Sequence, residues 1–125
     1  MPQVTCSKAT AKVINVQAIE IAARLLGVEN PIHIRTTKGR RITGCHRFSI
    51  FDPVHRITFS TAESAEDQSK TLWHELTHAA QTDQLGLVDY AKQYRSQNRS
   101  VGYRQNKFEV QARDCGDWHD ALSLV

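Results

Sequence analysis

The chain alternates between stretches where apolar residues recur every three to four positions and stretches where they recur every second one. Ile14, Ala18, Ile21 and Leu25 fall at helical spacing and predict an amphipathic helix over 11–26, closed by Gly27. Its start is open between Ala11 and an Asn15 cap. Three stretches of period two follow. Residues 31–37 set Ile32 and Ile34 against His33 and Arg35. Residues 41–50 return after the Lys38-Gly39-Arg40 turn, with Ile42 and Phe48 inward and Gly44 as a bulge. Residues 54–60 follow Asp52-Pro53 with Ile57 and Phe59 inward. Leu72, Leu76 and Ala79 then restore the helical period, with Trp73 and Ala80 beside them. That helix starts behind Ser64 and its first-turn acids and stops at Gly86. Residues 87–94 predict a short helix and 97–105 a polar loop near the site. Phe108, Ala112, Cys115 and Leu122 line one face of a last helix starting near Asn106. Residues 1–10 show no period and are expected to be loosely ordered.

This order predicts a single α+β domain over 1–125. A small, mostly antiparallel three-stranded sheet packs against an N-terminal helix, a central helix and the last helix. At 125 residues the chain can bury one core and not two. An apolar content of 40% with 23% charged residues is that of a soluble globular protein, and no run approaches the ~18 apolar residues of a membrane span. The start, Met1-Pro2-Gln3, lacks a basic segment followed by an apolar one, so no leader is expected. Cys6, Cys45 and Cys115 are odd in number and far apart. They predict neither a disulfide framework nor a metal knuckle, and a reducing, cytoplasmic setting is expected.

The formal net charge is +3, unevenly spread: Arg35, Lys38, Arg40, Arg41, Arg47 and Arg56 are accompanied by only Asp52. Such a stretch either attracts nucleic acid or forms the solvated outer face of strands. Without interleaved aromatics or a nucleic-acid motif, the solvated face is the preferred reading and nucleic acid the lesser one.

The candidate chemistry lies in the central helix, at His74-Glu75-Leu76-Thr77-His78. Four residues make about one helical turn, so the two imidazoles project from one face and can reach one zinc ion. Glu75 stands roughly 100° further round, placed to take a proton from a water that the metal activates. Gln81 and Gln84 occupy the positions where a metzincin carries Gly and His, which excludes that class. A third ligand is therefore sought downstream. Glu109, on the flank of the last helix, completes a His, His, Glu set that leaves the fourth position for water. Glu109 can instead close a capping box with Asn106, and Asp83, Asp89, Asp114 and His119 are rival ligands.

His74-Glu75-Leu76-Thr77-His78-Ala79, followed by Tyr103, Asn106, Phe108, Glu109, Ala112 and Arg113, resembles the small zincin-like metallopeptidases of phages and bacteria. These are minimal members of the gluzincin group, and the resemblance covers about residues 54–115. It implies a zincin-like fold, Zn2+ held by His74, His78 and Glu109, Glu75 as general base, and a protein or peptide substrate. The group commonly uses a Tyr or His as oxyanion donor; Tyr103 is the first candidate here, followed by Tyr94 and His119. The position four residues after Glu109, often an orienting acid in larger gluzincins, is Arg113. Two alternatives stay open: a zinc-containing binding or structural module without turnover, and a SprT-like DNA-associated protease whose third histidine would be His119.

Overall fold

The period-two stretches form strands, but not side by side in the order of the chain. The computed structural model describes residues 2–125. Its sheet runs β1 (Val4–Cys6), β2 (Ile32–Thr37), β4 (Asp52–Ser60), β3 (Gly44–Ser49). β1 and β4 both lie parallel to β2, and only β3 and β4 form an antiparallel hairpin. The sheet is thus four-stranded and mixed, where three mostly antiparallel strands were expected. Burial explains the order. Ile32, Ile34, Ile57 and Phe59 are fully buried, so β2 and β4 take the centre. β3 offers Gly44, Arg47 and Ser49 and is left at the edge. Ile42 lies outside the strand and is exposed, not in the core. The register irregularity falls between Arg47 and Ser49 rather than at Gly44.

The N-terminal residues are ordered, contrary to expectation. β1 is too short to show a period, and α1 (Lys8–Ala11) is a single turn capped by Ser7, whose Oγ accepts from Thr10 N at 3.2 Å. In α2 (Val16–Leu26), Asn15 Oδ1 caps Ala18 N at 3.0 Å. Its buried face is Ala18, Ile19, Ala22 and Ala23, while Ile21 and Leu25 are 45% and 68% exposed. Both stripes have helical spacing; the small side chains let the helix sit closer to its neighbours.

α3 (Ala65–Leu85) crosses the sheet on the side of β3 and β4. Ser64 Oγ caps Asp67 N at 3.2 Å, and Leu72, Trp73, Leu76, Ala79 and Ala80 are buried. Trp73 donates its Nε1–H to Leu122 O at 2.9 Å, which pins the C-terminal tail to the core. α4 (Leu87–Gln105) runs through the stretch predicted as a loop. None of its residues is fully buried, so its polar surface hides a helix held by side contacts. Tyr90 and Tyr94 pack on Phe108, and Asn106 Nδ2 donates to Asn98 Oδ1 at 2.9 Å, tying α4 to α5 (Lys107–Gly116). A 3-10 turn, Asp117–Asp120, follows.

One contiguous core runs from Val4 to Leu124 on the helix side of the sheet. Strand alternation sends Arg35, Arg47 and Arg56 to the opposite face, where Arg56 pairs with Asp52 at 2.8 Å. Cys6, Cys45 and Cys115 are free thiols. Among the described residues, no helix is long and apolar enough to cross a membrane.

Candidate metal centre

One turn of α3 stacks His74 over His78, and α5 brings Glu109 against both rings. Glu109 Oε1 lies 3.1 Å from His74 Nε2 and 3.2 Å from His78 Nε2, and the two nitrogens are 3.2 Å apart. Three donors at the corners of a tetrahedron with arms of about 2.0–2.1 Å are separated by roughly 3.3 Å. The observed triangle has that size, so the three residues can hold a metal ion; they are the one such group among the described residues.

The surrounding side chains orient these donors. Gln81 Nε2 donates to Phe108 O at 3.0 Å and to Gln111 Oε1 at 2.8 Å, so its Oε1 must be the atom facing His78 Nδ1 at 2.9 Å. A carbonyl oxygen only accepts, so His78 keeps a proton on Nδ1 and presents Nε2 to Glu109. Tyr90 OH lies 3.2 Å from the same Nδ1. Tyr94 OH donates to Glu109 Oε2 at 2.5 Å, leaving Oε1 to the histidines. Tyr103 OH donates to Oε1 at 3.3 Å from the end of α4. It reaches the site because Gly102, at φ +81° and ψ 169°, breaks the helix there, a conformation that other residues adopt only with strain.

Charge is arranged to favour a cation. Burial opposes ionisation of Glu109, yet hydrogen bonds from His74, His78 and Tyr94 hold it well below the usual carboxylate range. Burial likewise disfavours a charged His78, but the bond to Glu109 and the charges of Glu75 and Glu109 outweigh it and raise that ring's pKa. Burial raises Glu75, against the pull of His78 and His74. Burial, followed by the hydrogen bond to Glu109 and its charge, raises Tyr94; burial and the charge of Glu109 raise Tyr90 and Tyr103. All three phenols therefore stay protonated, and Tyr94 and Tyr103 donate to Glu109.

Glu75 sits beside the trio and lines two clefts that meet at the metal group. One, of about 460 Å³, is bordered by His46, Tyr90, Tyr94 and Tyr103; the other, of about 300 Å³, by Gly44, Thr71 and Arg113. β3 approaches α3 closely here: a Cβ on Gly44 would fall 2.4 Å from Thr71 Cγ2 and 3.3 Å from Glu75 Cγ.

The structure brings together all five residues singled out from the sequence: His74, Glu75, His78, Tyr103 and Glu109. The capping question is answered by Asn106 alone, whose Oδ1 accepts from Phe108 N at 2.9 Å while its own N–H goes to Tyr103 O. The rivals stand elsewhere. Asp89 and Asp114 are exposed, and His119 contacts Gly116 O and Glu66. Asp83 is engaged with His55 and the 29–30 loop. Four participants escape a linear reading: His46, Gln81, Tyr90 and Tyr94 in its orienting role. Gln81 had a signal, standing three residues after His78 on the same helical face. His46 had none, because only the crossing of β3 to the outer edge brings it in.

No family model matches this chain, and neither a curated protein nor a solved structure is significantly similar to it.

Proposed function

We propose that the protein is a zinc-dependent metallopeptidase of zincin-like type, with His74, His78 and Glu109 as the zinc ligands and Glu75 as the general base. The observation that carries this reading is the 3.1–3.2 Å triangle of two imidazole nitrogens and one carboxylate oxygen, with a second carboxylate one residue along the same helix. Nitrogen and oxygen donors, three in number and buried on one side, suit a catalytic zinc site with an open position.

Zinc bound there supplies Lewis acidity, acidifying water toward a pKa of about 7 and polarising a carbonyl. Glu75 removes the proton as the water oxygen bonds to the scissile carbon. The raised pKa of Glu75 then suits it to return that proton to the amine as the C–N bond breaks. Tyr103, exposed at the cavity rim, is the donor offered to the oxyanion. Tyr94 serves a different purpose, since its hydroxyl is held on Glu109 Oε2 at 2.5 Å, whereas Tyr103 reaches Glu109 only at 3.3 Å.

The substrate is a protein or peptide in extended form. β3 is an edge strand, and Ser60 N donates to Thr43 O at 2.9 Å. With that register, Cys45 also turns its main-chain groups toward β4, whereas those of Gly44 and His46 face outward beside Glu75. An added peptide strand would lie across the metal group. Nucleic acid is the lesser partner reading: the arginines of the open sheet face lie on the opposite side of the sheet from the trio. A peptide-library digest with metal-stripped and zinc-reconstituted protein tests the proposal. Cleavage that appears only with zinc is expected; a chain that takes up no metal contradicts it.

A further inference from the structure

Behind the cavity runs a chain of three titratable groups, half-buried at His46 and buried at the side chains of His55 and Asp83, that the hydrolytic scheme does not use. Gly44, His46 and Phe48 share the α3 side of β3, and the His46 ring borders the cavity together with His74, Glu75 and His78. His46 Nε2 lies 2.8 Å from His55 Nδ1, and His55 Nε2 lies 2.9 Å from Asp83 Oδ1. The side chains of His55 and Asp83 are 0% and 1% exposed. Phe48 packs on the His55 ring at 4.5 Å.

The proton positions follow from the anchored end. Asp83 Oδ2 accepts from the backbone N–H groups of Glu29 and Asn30, and Oδ1 accepts from Asn30 Nδ2 at 2.6 Å. Those donors hold the carboxylate ionised against the cost of burial, with a pKa below its ordinary value. Asp83 therefore accepts from His55 as well, which puts the His55 proton on Nε2. The neutral His55 ring then offers a lone pair at Nδ1, and His46 must donate its Nε2–H to it. Burial, with His55 and His78 nearby, lowers the His46 pKa to about 3, so that ring is neutral too. Its remaining nitrogen, Nδ1, is left as an acceptor. A buried acid with two imidazoles is weak as a stabilising device; apolar residues of similar volume serve stability as well or better.

We propose that His46 contacts the ligand bound over the metal group as a hydrogen-bond acceptor, its tautomer imposed by Asp83 through His55. The identity of the contact rests on the peptidase reading: an extended peptide beside β3 presents N–H groups, and the lone pair of His46 receives one of them. His46 is then a substrate-contacting residue, and His55 and Asp83 are positioning residues. This assignment excludes His46 as the oxyanion donor, because a neutral ring with its only proton given to His55 has none to offer.

Long-range 1H–15N spectra of the zinc-loaded full chain read the tautomers directly, with His46→Gln used to assign the His46 signals. At neutral pH both His46 and His55 are expected in the Nε2–H form. Asp83→Asn places a carboxamide donor opposite His55 and is expected to reverse both rings, leaving His46 with its proton on Nδ1. A wild-type His46 found as the Nδ1–H or doubly protonated form overturns the proposal, and that spectrum decides even if Asp83→Asn does not fold. On a peptide the wild type cleaves, His46→Gln is expected to keep its zinc and lose about tenfold in kcat/KM, the scale of one hydrogen bond to substrate. Unchanged kcat/KM in that variant overturns the contact. The tautomer measurement needs no substrate, so a zinc-loaded wild type that cleaves nothing refutes the peptidase reading separately.

Discussion

The carboxamide of Gln81 decides which nitrogen of His78 faces Glu109. Its N–H2 end is fixed by Phe108 O, so its oxygen receives the Nδ1 proton of the ring at 2.9 Å. A residue that holds a ligand in the right tautomer is expected to contribute to metal affinity without touching the metal. Gln81→Leu should therefore weaken zinc binding by about 10–100-fold in a chelator competition, with the helical signal unchanged. Equal affinity in variant and wild type would show that the ring orients itself.

Glu109 and Asn106 separate metal binding from helix capping. Glu109 reaches His74, His78, Tyr94 and Tyr103, whereas Asn106 caps α5. Glu109→Ala is expected to abolish stoichiometric zinc. Asn106→Ala should keep the metal while losing about 0.5–2 kcal/mol of stability from the cap. Zinc content by elemental analysis, beside thermal unfolding of both variants, checks this. Full zinc in Glu109→Ala would remove it from the ligand set.

Gly44 tests the close approach of β3 to the metal helix. An alanine there would press on Thr71 Cγ2 at 2.4 Å, and such overpacking typically costs about 1–3 kcal/mol. Thr71→Ser deletes the obstructing methyl. The double variant is expected to recover most of the stability that Gly44→Ala alone loses in urea unfolding. Additive losses would mean that the strand and helix yield independently.

The site was legible where chemistry and helical period coincide. His74, Glu75 and His78 fall within five residues, and Ser64 and Gly86 mark the ends of their helix, so the sequence alone locates the turn. Glu109 is legible as a candidate through chemical need, since two histidines alone make an incomplete zinc-ligand set. The sheet was less legible. Period two marks β2, β3 and β4 but carries no information on neighbours, and the insertion of β4 between β2 and β3 depends on burying Ile57 and Phe59. His46 joins the site through that insertion. α4 was missed beyond its first turns because its stabilising contacts are aromatic rings and carboxamides rather than a buried apolar stripe.

Acid should loosen the His46–His55 pair first. Burial lowers both rings below their unfolded value of about 6.5, so between that pH and the folded pKa the unfolded chain binds more protons. Stability then rises with pH: the contribution of the neutral rings is complete above pH ~6.5 and is lost as pH falls through the window toward about 3. Asp83 is depressed as well, and its contribution is lost only below about pH 4. His46→Gln should flatten the dependence of Tm on pH between about 6.5 and 4. A variant curve parallel to that of the wild type in this range would contradict the assignment of a neutral His46 ring.

The central claim is that Glu75 moves a proton for a zinc site in peptide hydrolysis. Glu75→Gln conserves volume and hydrogen bonding but cannot take a proton, so the helix and zinc occupancy should persist while turnover falls by about 10²–10⁴-fold. The measurement compares cleavage of the same peptide by wild type and Glu75→Gln at equal, independently measured zinc content. Near-complete loss of cleavage with zinc intact is the predicted result. Undiminished cleavage by the zinc-loaded variant would contradict it.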